Sequence, residues 1–595
     1  MKIADRIKAL REQMKIRGID VYLVPTADFH QSEYVGDYFK AREFITGFTG
    51  SAGTALITQD EARLWTDGRY FIQAETELAG TTVKLMKMRE TGVPTLEEYL
   101  SEVIPAGGVL GFDGRVVAMA EGQRYEEIAA SKEARILYNY DLIDDVWEDR
   151  PDLSGEPVFA LGTEYTGENV ASKLERIRIA MQETGATMHV LTTLDDICWT
   201  LNLRGNDIEY MPMILAYAMI TIDKMYLYID KAKLSEEIKS DLAKDGIVLR
   251  PYNDIYEDIK NMDEGEILLI DPDKLNYGLY NNIPKKITKV EKENPEILFK
   301  ARKNEVEVEN IRKAQIKDSV AHVRFMKWIK ETVGKETITE ISAIDKLDSF
   351  REEMGNFIRP SFDAISAFGE HAASVHYSSS PETNVELKKG SLYLTDTGAG
   401  FMEGSTDITR TYALGDVPQI MKEHFTLVAM SNLSLASARF LKGSTGANLD
   451  ILAKKPFWDR ELDFNHGTGH GVGYLLNIHE EPVGISWRYR QMDCHILEKG
   501  MIITNEPGMY IEGSHGIRLE NELLVCEGKL NKYGQFMYFE PITYIPFDLD
   551  AIVPDMMTSI EKQWLNDYHK LVFEKISPYL DEEEKAWLMK YTRAV

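Results

Sequence analysis

The sequence predicts a mixed α/β (α+β) protein made of two related N-terminal units and one larger C-terminal region. Three observations carry that reading. A helix–glycine–strand pattern at the N-terminus returns 167 residues later (177 − 10). Breaks in the pattern fall near residues 155 and 300. Beyond the second break, apolar strands joined by glycine-rich segments carry carboxylates on both limbs.

The first element is a helix, because Ile3, Ile7, Leu10 and Met14 recur at helical spacing and the run stops at Gly18. Asp20–Val24 follows as a strand closed by Pro25. In the second copy Arg176–Met181 runs to Gly185, then to His189–Leu191 and Thr193–Asp196. Leu10 aligns with Ile177, Met14 with Met181, Gly18 with Gly185 and Asp28 with Asp195. The first unit spans 1–155, where Pro151, Gly155 and Pro157 interrupt the pattern, and the second spans 156–300, with Glu293–Glu296 as a linker. The third spans 301–595 and opens with a helix from Asn304, with Ile316, Val320 and Val323 on one face.

Composition excludes several classes. At 44% hydrophobic, 28% charged and 10% aromatic residues, the 595-residue chain is neither disordered, collagenous nor a coiled coil. The net charge of −29 (68 − 97) argues against nucleic acid or anionic membrane as a partner. Three scattered cysteines, Cys198, Cys494 and Cys526, exclude a disulfide framework and a thiolate zinc site. They read as small buried hydrophobes in a reducing compartment. The N-terminus MKIADRIKALREQMK has no apolar core for a signal peptide, and Asp5 and Glu12 count against a mitochondrial one. The longest apolar stretch, Met211–Ile222, is too short to span a bilayer. A soluble, cytoplasmic protein is expected.

The residues that carry chemistry lie in the third region. In the strand Leu392–Asp396, Asp396 shares a face with Leu392 and Leu394. Gly398, Gly400 and Gly404 let the chain reverse into a second strand, Asp407–Thr411. Such a hairpin brings Asp396 near Asp407, and two close carboxylates repel unless a proton or cation lies between them. Two loop caps are the plainer alternative for one such pair. Met501–Asn505 with Glu506, and Ile517–Glu520 running on to Val525, repeat the arrangement. Between the pairs lies His466-Gly-Thr-Gly-His470-Gly-Val-Gly473. Its four glycines disfavour a zinc-binding helix, and no Lys-Ser or Lys-Thr follows to make a phosphate loop. It reads as a glycine-rich loop. His479 follows nine residues after His470, and His376 precedes Asp396 by twenty. One imidazole and four carboxylates suit two divalent cations of the manganese, cobalt or zinc kind.

The segments YLTDTGAGFMEGSTDITRT, HGTGHGVGYLLNIHEEP and TNEPGMYIEGSHGIRLEN resemble the signature blocks of aminopeptidase P, the Xaa-Pro aminopeptidases of the methionine aminopeptidase/creatinase family. The gaps of 11 (407 − 396) and 14 (520 − 506) residues match that family. Phe48–Gly53 and Asp67–Phe71 resemble blocks of its N-terminal domain.

The resemblance implies two creatinase-like domains ahead of a "pita-bread" catalytic domain. It implies that Asp396 binds one metal through both oxygens, that Asp407 and Glu520 bridge the pair, and that His470 and Glu506 complete the ligand set of the second metal. A bridging water, acidified by the cations, would attack the scissile carbonyl, with Glu506 as general base. His479 would stabilise the carbonyl oxygen or shuttle a proton, and His376 and His466 would position the peptide. Arg518 reads either as a partner of the carboxylates or as a surface-strand arginine. Manganese is the first expectation, with zinc or cobalt as alternatives. The expected substrate is a peptide with proline in second position, and the expected assembly a homodimer. Prolidase, acting on Xaa-Pro dipeptides, typically has one N-terminal domain; a non-catalytic peptide-binding module of the same fold would have lost the ligands.

Overall fold

The computed structural model describes residues 1–488 and 495–595, so Cys494 lies outside the described residues. The chain separates into two compact units, one of residues 1–161 with 168–296 and one of residues 162–167 with 297–595.

In the first unit, α1 (Ile3–Arg17) buries Ile7, Leu10 and Met14. It ends on Gly18 at φ +64°, a left-handed conformation that glycine adopts without a Cβ penalty. Six strands follow: β1 (Val21–Pro25), β2 (Thr54–Thr58), β3 (Ala62–Thr66), β4 (Val83–Lys87), β5 (Val109–Gly111) and β6 (Arg135–Leu137). They form one sheet in the order β4-β3-β2-β1-β5-β6. Strand β1 is antiparallel to β2 and parallel to β5.

The second copy repeats this arrangement. Helix α2 (Val170–Thr184) buries Leu174, Ile177 and Met181 and ends on Gly185 at φ +77°. Strands β7 (Met188–Leu191), β8 (Tyr217–Thr221), β9 (Met225–Tyr228), β10 (Ile247–Arg250), β11 (Ile267–Ile270) and β12 (Thr288–Glu291) form a sheet in the order β10-β9-β8-β7-β11-β12. Every strand pair runs in the same sense as its counterpart in the first sheet. The repeat seen in one helix and strand thus extends over a whole sheet.

Two details depart from the sequence reading. Asp28 sits in a loop, where its carboxylate accepts the N–H groups of His30 and Ser32, whereas Asp195 lies in the first turn of helix Leu194–Leu201. The supposed linker Glu293–Glu296 is anchored by two buried residues: Asn294 donates its N–H to Asp271, and Glu296 faces His189 at 3.3 Å. The division between the units nevertheless falls directly after Glu296.

The second unit carries α3 (Glu305–Thr332), whose start is fixed by a reciprocal cap between Asn304 and Glu307. Val320 and Val323 are buried and Ile316 packs against the same core. Helix α4 (Glu340–Glu353) follows. A three-stranded sheet has the order β13 (Ile365–Phe368), β14 (Ser391–Thr397), β15 (Ile408–Leu414). A six-stranded antiparallel sheet is built from β16 (Arg439–Leu441), β17 (Gly469–Gly471), β18 (Glu480–Ile485), β19 (Ile502–Asn505), β20 (Asn521–Asn531) and β21 (Gly534–Pro541), in the order β16-β21-β20-β19-β17-β18.

Helices α5 (Gln419–Ala436), α6 (Gly446–Trp458) and α7 (Ser559–Ile576) contribute to the cores of this unit. Phe425 and Val428 pack with Phe547, Leu565 and Val572, while Leu449 and Ala453 pack with Ile485, Ile503 and Val525. Cys198 is a buried thiol as expected, but Cys526 is only partly buried, with Sγ 3.7 Å from Glu540. Among the described residues no helix is long and apolar enough to cross a membrane.

Candidate metal centre

Two hairpins bring the carboxylates together. Strands β14 and β15 pair with Asp396 opposite Thr409, so Asp407 stands one residue before β15. Strands β19 and β20 pair as far as Asn505 opposite Asn521, so Glu506 and Glu520 flank the last rung. Thr409 stitches the hairpins to each other: its carbonyl accepts the Glu520 N–H at 3.0 Å, and its hydroxyl donates to Glu520 Oε2 at 2.7 Å. Arg410 clamps the same junction, donating to the carbonyls of Thr409 and Glu520.

His470 arrives on β17, which pairs with both β18 and β19. The glycine-rich segment expected as a loop is therefore partly a strand. Glycine is needed there because the backbones approach closely: a Cβ on Gly469 would lie 1.9 Å from the carbonyl oxygen of Thr504. That contact is with backbone, so it cannot be relieved by a rotamer change. Gly469→Ala is expected to cost at least about 1–3 kcal/mol through overpacking and to displace His470. Thermal unfolding together with a metal titration checks it; wild-type values in both would show that the strands can part at no cost.

His470 Nδ1 lies 2.9 Å from the carbonyl of Gly471, which places the proton on Nδ1. Nε2 then presents a lone pair to Asp407 Oδ2 and Glu506 Oε1, each at 3.5 Å. Three groups facing each other with lone pairs attract only through a shared proton or cation. Asp407, His470 and Glu520 offer ligand atoms that all lie within 4.8 Å of one another. Asp396 Oδ1 is buried with no hydrogen-bond partner among the described residues. Oxygen donors with one imidazole suit a divalent transition cation, and a buried carboxylate oxygen without a donor fits such a cation as a ligand.

Electrostatics agree with that geometry. Burial, with the charges of Glu520, Asp396 and Glu506, holds the Asp407 carboxyl well above its usual range. Burial, with Glu506 and Asp396, does the same to Glu520. Burial raises Glu506 to about 7, opposed by Arg518 and reinforced by Asp396.

Arg518 is 2% exposed and donates to Asp396 Oδ2. It also donates to Tyr510 OH at 2.8 Å. His466 Nδ1 faces the carbonyl of Gly467 at 2.7 Å, so its Nε2 accepts the Tyr510 hydroxyl at 2.9 Å. Burial and the Arg518 charge push the His466 imidazole down to about 3, keeping it neutral.

His479 stands edge-on to His470, with ring centroids 4.3 Å apart, and its charge bears on Glu506. His376 is half-buried in the turn beside Val375, whose carbonyl faces Arg518 at 3.5 Å. Asp396, Glu506 and all four histidines are thus half-buried, while Asp407, Glu520 and Arg518 form a buried floor.

Several contributors escaped the sequence reading. Tyr510 links Arg518 to His466, Thr409 joins the hairpins, and Glu522 Oε1 accepts the Asp407 N–H at 2.8 Å. Burial raises the Glu522 carboxyl to about 8. Only Glu522 left a trace in the sequence: Glu520 and Glu522 share strand parity, so both point to one face.

Models of the creatinase/prolidase N-terminal domain match residues 6–137 and 149–307. The model of metallopeptidase family M24 matches residues 309–527, and that of the C-terminal region of peptidase M24 matches 535–595. Aminopeptidase P2 of Arabidopsis thaliana is 37% identical, covering 97% of this chain and 86% of its own length. A crystal structure of X-prolyl aminopeptidase from Caenorhabditis elegans, described as a cytosolic enzyme with a di-nuclear active site, superposes with a TM-score of 0.96 at 32% identity over 100% of both chains. An Xaa-Pro dipeptidase from Bacillus anthracis is 26% identical with a TM-score of 0.51, covering 64% of this chain and 99% of its own. With matching models along its length and a relative of this identity over nearly the whole chain, the protein belongs to metallopeptidase family M24, in its aminopeptidase P branch, with creatinase-type N-terminal domains ahead of a pita-bread catalytic domain.

Proposed function

We propose that this chain is a metal-dependent Xaa-Pro aminopeptidase that releases the N-terminal residue from peptides with proline in second position. The observation that carries the reading is the His470 Nε2 lone pair facing Asp407 and Glu506, with Asp396 and Glu520 in the same charge cluster. The relatives' names supply the substrate class. Proline in second position makes the scissile bond a tertiary amide without an N–H.

Asp396, Asp407, His470, Glu506 and Glu520 would hold two divalent cations, manganese first, with zinc or cobalt as alternatives. When bound, such cations polarise the scissile carbonyl and make water a nucleophile near neutral pH. Glu506, with Oε1 3.5 Å from His470 Nε2, is suited to take the proton of that water as general base. His479, beside His470 and Glu506, is placed to donate to the carbonyl oxygen or pass the proton on. His376 and His466 position the peptide, His466 through the neutral imidazole that Tyr510 holds. Arg518 keeps Asp396 oriented and balances the charge of the four carboxylates.

The proposed domains span 1–155, 156–300 and 301–595; the matching strand orders of the two N-terminal sheets support the first two. The proposed enzyme works in the cytosol, where its Caenorhabditis elegans relative is described, and the family resemblance implies a homodimer.

The test is substrate choice under metal control. Protein stripped with chelator is restored with manganese, zinc or cobalt and offered Xaa-Pro-Pro, the dipeptide Xaa-Pro, and Xaa-Ala-Ala. Metal-dependent release from Xaa-Pro-Pro is expected. Preference for the dipeptide would make the protein a prolidase, and no cleavage with metal bound would point to a binding role.

A further inference from the structure

Side chains alternate across a strand, so Thr397 points to the face of its hairpin opposite Asp396. Thr406, which immediately precedes Asp407, meets the same partner as Thr397 behind the hairpin. That partner is an ion pair between two helices. Arg351 on α4 donates from Nε to Asp318 Oδ1 at 2.8 Å and from a terminal nitrogen to Oδ2 at 3.2 Å. The same terminal nitrogen donates to Thr397 Oγ1 at 3.0 Å. From the other side, the Thr406 hydroxyl donates to Asp318 Oδ2. His322, one turn after Asp318 on α3, approaches the Thr397 hydroxyl at 3.3 Å. All five residues are fully buried. Removing one member of such a pair costs far more than the pair contributes, so its presence asks for a reason beyond stability.

We propose that the Asp318–Arg351 pair positions the metal-binding aspartates, gripping Thr397 and Thr406 from the helix side and so fixing the spacing of Asp396 and Asp407. None of these residues touches substrate; they act through the backbone of the two carboxylates. The grip sets metal affinity and coordination and leaves peptide recognition alone. This proposal rests on the reading of the site as a metal centre.

The test removes the two hydroxyls and keeps the volume. Thr397→Val/Thr406→Val leaves the ion pair in place and puts a good strand former at each position. Cobalt(II) is titrated into chelator-stripped protein and followed by its visible absorption, which reports affinity and coordination geometry without any peptide. Cobalt affinity is expected to fall about 10–100-fold, as for other partners of metal ligands, with a changed spectrum. Peptide KM at saturating metal should stay within about threefold, so that the loss falls on kcat. Thr397→Ser/Thr406→Ser should recover most of the affinity, which a loss of packing alone would not allow. Cobalt affinity and spectrum like wild type in the double valine variant would overturn the proposal. If that variant does not fold, the two single valine variants are titrated, and wild-type affinity in both overturns it equally. Wild-type protein that binds no cobalt would refute the metal centre itself, a separate result.

Discussion

Glu506→Gln is expected to lower kcat for Xaa-Pro-Pro by about 10²–10⁴ while leaving the metal-free protein at least as stable as wild type at pH 8. The two halves of that expectation come from the same burial. The wild-type carboxyl sits at about 7, so at pH 8 it is ionised in a buried site that already holds Asp396 and Glu520. Glutamine has nearly the same shape and keeps an oxygen to accept from the Thr504 hydroxyl, but carries no charge to desolvate and no basic lone pair for a proton. Catalysis loses its base; the fold loses a repulsion. Turnover at saturating metal and thermal melting in chelator, measured on the same preparation, separate these effects. Wild-type turnover would remove Glu506 from the chemistry. A large fall in the chelator melting temperature would mean that attraction to Arg518 and His479 outweighs burial and the Asp396 charge in the metal-free fold.

The contrast between Glu506 and its surroundings also shows how much of the site a sequence can carry. The four carboxylates were legible because each stands at the end of an apolar strand, where parity fixes the face and a glycine-rich return fixes the partner. His470 was legible as a residue but not as an element: four glycines in eight residues read as a loop, and only the close approach of Gly469 to the Thr504 carbonyl shows a strand packed between two others. Arg518 stayed ambiguous because strand parity gives a face and not a neighbour. The Tyr510 and Thr409 contacts were illegible, since each depends on residues brought together by the pairing of separate hairpins. The N-terminal half shows the same division. Helix periodicity and the cap glycines revealed the repeat, and the two sheets share order and strand sense throughout. Yet Glu293–Glu296 looked like a linker because its polar composition gave no sign that His189 and Asp271 wait to bury it.

Metal-free protein is expected to lose stability as pH rises from about 4.5 to above 7, and added manganese, cobalt or zinc should restore more at pH 8 than at pH 5. Asp407, Glu506 and Glu520 all have carboxyls raised by burial and by one another. A raised carboxyl binds its proton in the native state over a range where the unfolded chain has released it. Native protein then holds more protons than unfolded protein, so the free energy of unfolding falls with rising pH. For Glu506 the window opens near the ordinary glutamate value of 4.5 and closes near 7. A shift of that size is worth on the order of 3 kcal/mol, or roughly 5 °C in the transition of a unit this large. The other two carboxyls extend the loss above pH 7. A cation takes the place of the missing protons, and its affinity rises as they leave, so the stabilisation by metal must grow with pH. Melting curves at pH 5, 6, 7 and 8, with chelator and with saturating metal, read both trends. Because a chain of two compact units need not unfold in one step, the transition to follow is the one that metal moves. A chelator curve that rises with pH would mean that the carboxylates are already paired with cationic groups in the metal-free fold, and that Arg518 alone meets the charge the metals are proposed to meet.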